Sequence, residues 1–168
     1  MKKMSTCIMI ALIIFSTSFS AFAGEVNAKN LSKPIGIPSK SEHHAEGLHN
    51  EETMRGKGSI IDSTNLELSL LGNRNLAIEA WTRCIEKTSI VGFKKISLQR
   101  WDGDKWVNVL KPWDDLEENI QKHDLFYKTK VEGGYYYKVS LYHYAQQGTG
   151  VFANKQKTFN ETKYMWVD

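Results

Sequence analysis

Three tyrosines, Tyr136, Tyr142 and Tyr144, stand at even positions in the stretch Gly133-Gly134-Tyr135-Tyr136-Tyr137-Lys138-Val139-Ser140-Leu141-Tyr142-His143-Tyr144. In an extended strand such residues share one face and advance about 6–7 Å per pair. Flat amphipathic rings at that spacing suit stacking on a sugar or anchoring a protein partner. Trp101 or Trp113 can extend the platform. Lys138 and Ser140 on the same face favour exposure. The competing arrangement packs this face under residues 114–121 or a neighbouring strand. Tyr136, Tyr142, Tyr144 and Trp101 are the candidate ligand-binding residues.

The other chemistry-bearing residues point to no catalytic frame. There is no G-x-S-x-G elbow, P-loop, dinucleotide fingerprint or H-E-x-x-H. No enzyme activity, metal or cofactor is expected. His43, His44 and His49, with Glu42 and Glu46, lack zinc-site spacing. Asp102-Gly103-Asp104 lacks the ligand series of a calcium loop and reads as a tight turn. Asp114, Asp115, Glu117 and Glu118 read as the solvated start of a helix. His123 and His143 are far apart in sequence, and His143 reads as exposed beside its tyrosines.

The first residues carry an address. Met1-Lys2-Lys3 is basic, Ile8 to Phe15 is wholly apolar, and Ala21-Phe22-Ala23 is an A-x-A cleavage signal. This order predicts a secretory signal peptide over 1–23. The apolar run is too short to cross a bilayer, which needs about 20 residues, so no membrane span is expected after cleavage. Loss of Lys2 and Lys3 brings the net charge of +3 to about +1. That is too little to point to nucleic acid or an anionic membrane. Only Cys84 then remains, at an alternating apolar position. It reads as a buried, inert thiol, with an intermolecular disulfide as the alternative.

These residues need elements to position them. Residues 24–57 are polar, carry Pro34 and Pro38, and show no sustained periodicity. They read as a disordered linker or pro-segment. From Gly58 to Asp168 short alternations predict strands: Leu66-Leu68-Leu70; Leu76 to Cys84; Phe93 to Trp101; Lys105 to Leu110; Leu125 to Val131; the Tyr-rich strand; and Lys157 to Val167. Trp81 and Ile85 fall on the outer side of their strand and need cover. Asp114 to Gln121 reads as about two turns of helix or a loop with a helical turn, Asp114 at its N-cap and Leu116 and Ile120 facing the domain. The expected fold is all-β: an antiparallel β-sandwich of six to seven strands with at most one short helix. A partly open barrel is the competing architecture.

The spacing Gly133-x-Tyr135-x-Tyr137-x-Val139 is similar to the tyrosine corner of immunoglobulin-like and fibronectin III-like sandwiches, with Tyr137 where antibody domains place a cysteine. The segment Ile96-Ser97-Leu98-Gln99-Arg100-Trp101, the following Gly turn and Trp106, then Gly134-Tyr135-Tyr136-Tyr137-Lys138-Val139 and an aromatic C-terminal strand resemble a family of small secreted Gram-positive bacterial proteins. That family is catalogued as a domain of unknown function. The resemblance covers Gly58 to the end and implies a secreted β-sandwich with no activity attached. The expected function is a non-catalytic binding module, extracellular or cell-wall associated, with a cell-wall glycan or an extracellular protein as partner. A secreted toxin- or bacteriocin-like antagonist or inhibitor released by processing is the alternative. The residues set no oligomeric state.

Overall fold

The computed structural model describes residues 31–48 and 58–168. The expected signal peptide, residues 24–30 and residues 49–57 lie outside them. The described chain is all-β and antiparallel. Eight strands form one sheet: β1 (His44–Glu46), β2 (Ile61–Leu70), β3 (Asn75–Trp101), β4 (Trp106–Asn108), β5 (Trp113–Lys130), β6 (Tyr135–Gln147), β7 (Asn154–Glu161) and β8 (Met165–Val167). The sheet folds over on itself, sandwich-like and nearly closed as a barrel.

Strand β3 organises the fold. The two strands expected at Leu76–Cys84 and Phe93–Trp101 are one continuous element of 27 residues. Its first half pairs with β2 on one edge and β5 on the other. Its second half pairs with β6 in place of β2, while β5 continues along the other edge as far as Ile96. The change from β2 to β6 falls between Cys84 and Ile90, where the β5 pairing shifts register. Farther on, at Phe93–Ser97, the β5 and β6 pairings both shift, and Lys95 takes a positive φ of 53°. A bulge of this kind bends a strand and lets it serve two layers. The bulge is held by the Lys95 N–H, which donates to Asp114 Oδ1 at 2.8 Å. Gly92 lies beside it at φ 149°; a Cβ there would stand 2.2 Å from the Asp115 carbonyl oxygen. Only glycine permits so close an approach of β5.

The enclosed faces carry the apolar residues of the alternation. Leu66, Leu68, Leu76, Ile78, Phe93, Ile96, Leu98, Tyr137, Val139 and Leu141 are buried in one cluster with Met165 and Val167. Ile60, Ile61, Cys84, Val91 and Ala145 form a second. Cys84 is therefore a buried free thiol, and burial raises its pKa. Trp81 is half covered by Arg83 and Lys122, while Ile85 is exposed.

Two further segments differ from expectation. Residues 114–121 are not helical. They belong to β5, whose register runs from Asn75↔Lys130 to Ile96↔Trp113. The spacing of Leu116 and Ile120, four apart, is a multiple of the strand period as well as a helical one. Two helical turns alone are marginal, whereas here β3 offers a long unpaired edge. Asp114 caps the β3 bulge instead of a helix. The only helical element among the described residues is a 3-10 turn at Gly150–Phe152.

The other difference is at 31–48, within the stretch read as disordered. Strand β1 pairs with β2 through His44↔Ser69, Ala45↔Leu68 and Glu46↔Glu67. On its other side Gly47 bridges Thr162, the Leu48 N–H donates to Glu161 O at 2.7 Å, and the Lys163 N–H donates to Glu46 O at 3.0 Å. The segment joins two sheet edges and brings Ala45 into the core. Its polar residues line the outside of this seam. Backbone hydrogen bonds hold it, and these leave no trace in side-chain periodicity.

Candidate functional site

The outer face of β6 splits into two regions. At its start, Tyr136 packs edge-on against Trp166 of β8, with centroids 4.8 Å apart at 64°, and against Tyr164 at 5.4 Å. Tyr164 neighbours Trp106 at 6.0 Å, and Trp106 meets Trp101 at 5.4 Å. Five rings thus form a continuous row. The cause is register: Tyr136 lies opposite Trp166, and Trp101 opposite Trp106, so rings from four segments fall on one outward face. Lys138 reaches back over the Trp106 ring at 4.9 Å and pairs with Glu161 at 2.8 Å.

The Trp101 end of the row is roofed by residues 31–38. The Trp101 indole N–H donates to Ser32 O at 2.9 Å, and that of Trp106 to Ile35 O at 3.0 Å. The Tyr164 N–H donates to Ile37 O at 2.9 Å. Trp101, at 3% exposed, is not an open platform residue; its cover is this strap, not residues 114–121.

The Trp166 end is open. Beyond Pro38 the chain turns through Ser39 to His43, and between this loop and the rings lies a cleft of about 440 Å³. Tyr136, Tyr164 and Trp166 supply the aromatic wall. Ser41, Glu42, His43 and Asp168 bring donors and acceptors to the rim. The Trp166 indole N–H donates to the Asp168 carboxylate, which fixes the ring. Burial, together with the adjacent Tyr136, raises the pKa of the Tyr164 hydroxyl, so it stays protonated and can donate or accept. The cleft thus sets aromatic side chains against polar and charged loop residues.

Tyr142 and Tyr144 belong to the second region. Tyr142 is half-buried, edge-on to Phe159 at 5.2 Å, with Lys157 Nζ over its ring at 3.6 Å. Tyr144 is buried; its hydroxyl donates to Gln146 Oε1 at 2.8 Å, and Lys94 Nζ lies 4.0 Å from its ring centre. The four residues expected to share one platform are thus divided: Tyr136 in the cleft, Trp101 under the strap, and Tyr142 and Tyr144 farther along β6. Trp166, Tyr164 and the 39–43 loop were missed. The aromatic C-terminal segment was visible in the sequence, but not its register against β6.

The histidines also differ from expectation. His143 is fully buried, and its Nδ1 lies 2.9 Å from Thr82 Oγ1. His123 Nε2 lies 3.1 Å from Asp115 Oδ2. Each ring stands 5.6 Å from Phe93. The fold brings together two residues that the sequence kept apart, inside the sheet and away from the cleft. His44, by contrast, lies on β1 beside Ser69 and Glu67. Among the described residues no group of three or more His, Cys, Asp and Glu could hold a metal ion, and no helix is long and apolar enough to cross a membrane.

Comparison with protein families, with curated proteins and with solved structures finds no match to this chain.

Proposed function

We propose that this chain is a secreted, non-catalytic binding module that takes a glycan in the cleft beside Tyr136. The observation that carries the reading is the Tyr136–Trp166 pair, packed edge to face with ring centroids 4.8 Å apart and opening on a rim of Ser41, Glu42, His43 and Asp168. A sugar offers an apolar C–H face to a ring and hydroxyls to polar neighbours, and this cleft presents both. The basic, apolar and A-x-A segments at the N-terminus support export to where cell-wall glycans occur.

Co-sedimentation of the chain from Gly24 to Asp168 with purified cell-wall sacculi tests this. Wild type binds; Tyr136→Ala or Trp166→Ala weakens binding about tenfold, the value of one well-placed aromatic contact of roughly 1.4 kcal/mol; Tyr142→Ala leaves it unchanged. No binding by wild type would sink the wall-glycan reading and turn attention to an extracellular protein ligand.

A further inference from the structure

The β6–β7 connection ends in an apolar tip. Val151 is 91% and Phe152 97% exposed, the most exposed of the large hydrophobic side chains among the described residues. They occupy the 3-10 turn Gly150–Phe152, entered through Gly148 and Gly150 at positive φ. The base of the loop is fastened. The Gly148 N–H donates to Ser89 Oγ at 3.0 Å, Gln146 Nε2 donates to Gly148 O at 3.1 Å, and Gln147 Nε2 donates to Glu86 Oε1 at 2.7 Å. The Ala153 N–H closes the turn on Gly150 O at 3.3 Å. The two side chains are therefore held out on a tied loop.

Behind the tip the outer face of the hairpin is basic and aromatic. Lys155 and Lys157 on β7 are exposed, and Lys94 joins them across β6 through the pair Lys94↔Tyr142. Phe159 is half exposed beside Tyr142. On the β3 side the neighbouring charges are Glu86 and Lys87. Lysines thus outnumber acids behind the apolar tip: Lys155 and Lys157 follow it on β7, Lys87 stands beside Glu86 at its base, Lys94 lies farther back along β6, and the nearest acids on the adjoining strands are Asp62 of β2 and Glu118 of β5.

We infer that Val151 and Phe152 insert into the surface of an anionic lipid bilayer, with Lys155 and Lys157 at headgroup level. Apolar side chains at a protein's edge enter the headgroup–acyl boundary, and nearby lysines add attraction to anionic lipid. Long lysine stems let the ammonium groups stay in the polar layer while their carbons line the apolar one. A protein partner would call for a broad complementary patch around the anchor, and here the two side chains project beyond their surroundings. This surface is separate from the Tyr136 cleft, and the inference does not depend on the glycan reading.

The test is partition of the chain from Gly24 to Asp168 onto vesicles of phosphatidylcholine alone and of phosphatidylcholine with phosphatidylglycerol. Wild type partitions onto the anionic vesicles and is released by salt. Val151→Ser/Phe152→Ser loses at least tenfold in partition while its melting temperature holds, since neither side chain packs in the core. Lys155→Gln/Lys157→Gln loses the preference for anionic vesicles, and Tyr136→Ala changes nothing. Phe152→Trp reports insertion by a vesicle-dependent blue shift of emission in excess of that of wild type, which carries five tryptophans of its own. Absence of wild-type partition, or partition by Val151→Ser/Phe152→Ser equal to wild type, would overturn the proposal, and capture of a soluble protein by the tip without vesicle binding would do the same.

Discussion

The Tyr137 hydroxyl donates a 2.7 Å hydrogen bond to the Glu132 carbonyl oxygen. The acceptor lies five residues upstream, across the β5–β6 turn. Tyr137 is 1% exposed and its ring lies in the core, so one side chain joins the β5–β6 turn to the interior. Tyr135 instead lies beneath the Arg100 guanidinium, 4.6 Å from its ring centre.

Burial pushes the Tyr137 hydroxyl up to about 12. The folded state then holds the proton more tightly than the unfolded chain, whose tyrosines titrate near 10. The stability this contributes is fully present below pH 10 and is lost as pH rises from there through 12. Tyr137→Phe removes the bond, costs about 1–2 kcal/mol at neutral pH, and flattens that part of the alkaline decline. Urea melts at a series of pH values check both effects; an unchanged alkaline profile would show that another group controls it.

Gly92→Ala is expected to be among the most damaging single changes. The new methyl would meet the Asp115 carbonyl 2.2 Å away and the Leu116 Cα at 2.9 Å, both backbone atoms. Strands β3 and β5 must separate where β3 bends, at a cost of about 3 kcal/mol or more. A shift in the urea midpoint measures it.

Cys84 is expected to be inert while the protein is folded. It is buried, and loss of solvation raises its thiol pKa, leaving little thiolate to react. Alkylation should be about a hundredfold or more slower in buffer than in denaturant, because the site opens only on unfolding. Rapid labelling of the native chain would contradict this.

Removal of residues before Gly58 is expected to destabilise the domain. Strand β1 is hydrogen-bonded to β2 on one side and to residues 161–163 on the other, and Ala45 lies in the core. A Gly58–Asp168 fragment leaves both edges unpaired, so it should melt earlier and with less cooperativity than the longer chain. It should also aggregate through those edges. An equal melting temperature would restore the reading of 24–57 as a linker or pro-segment.

Alternation along the chain determined most of the strands, since period-two burial is written in residue types: Leu66-Leu68, Tyr137-Val139-Leu141 and the core face around Ile96 and Leu98 all lie where their spacing places them. The Asp102 turn was legible for the same local reason. Its carboxylate accepts the Asp104 and Lys105 N–H groups at 2.9 and 2.8 Å, and those bonds lower its pKa. Tertiary structure decided the rest. The Leu116–Ile120 spacing fits both a helix and a strand, and the free edge of β3 selected the strand. Residues 31–48 carry no periodic signal because their attachment is through the backbone. Tyr136 lies in the cleft, and Tyr142 and Tyr144 do not, because register against β8, β7 and the strap sets each ring's neighbours, and register is a property of paired strands rather than of any one of them.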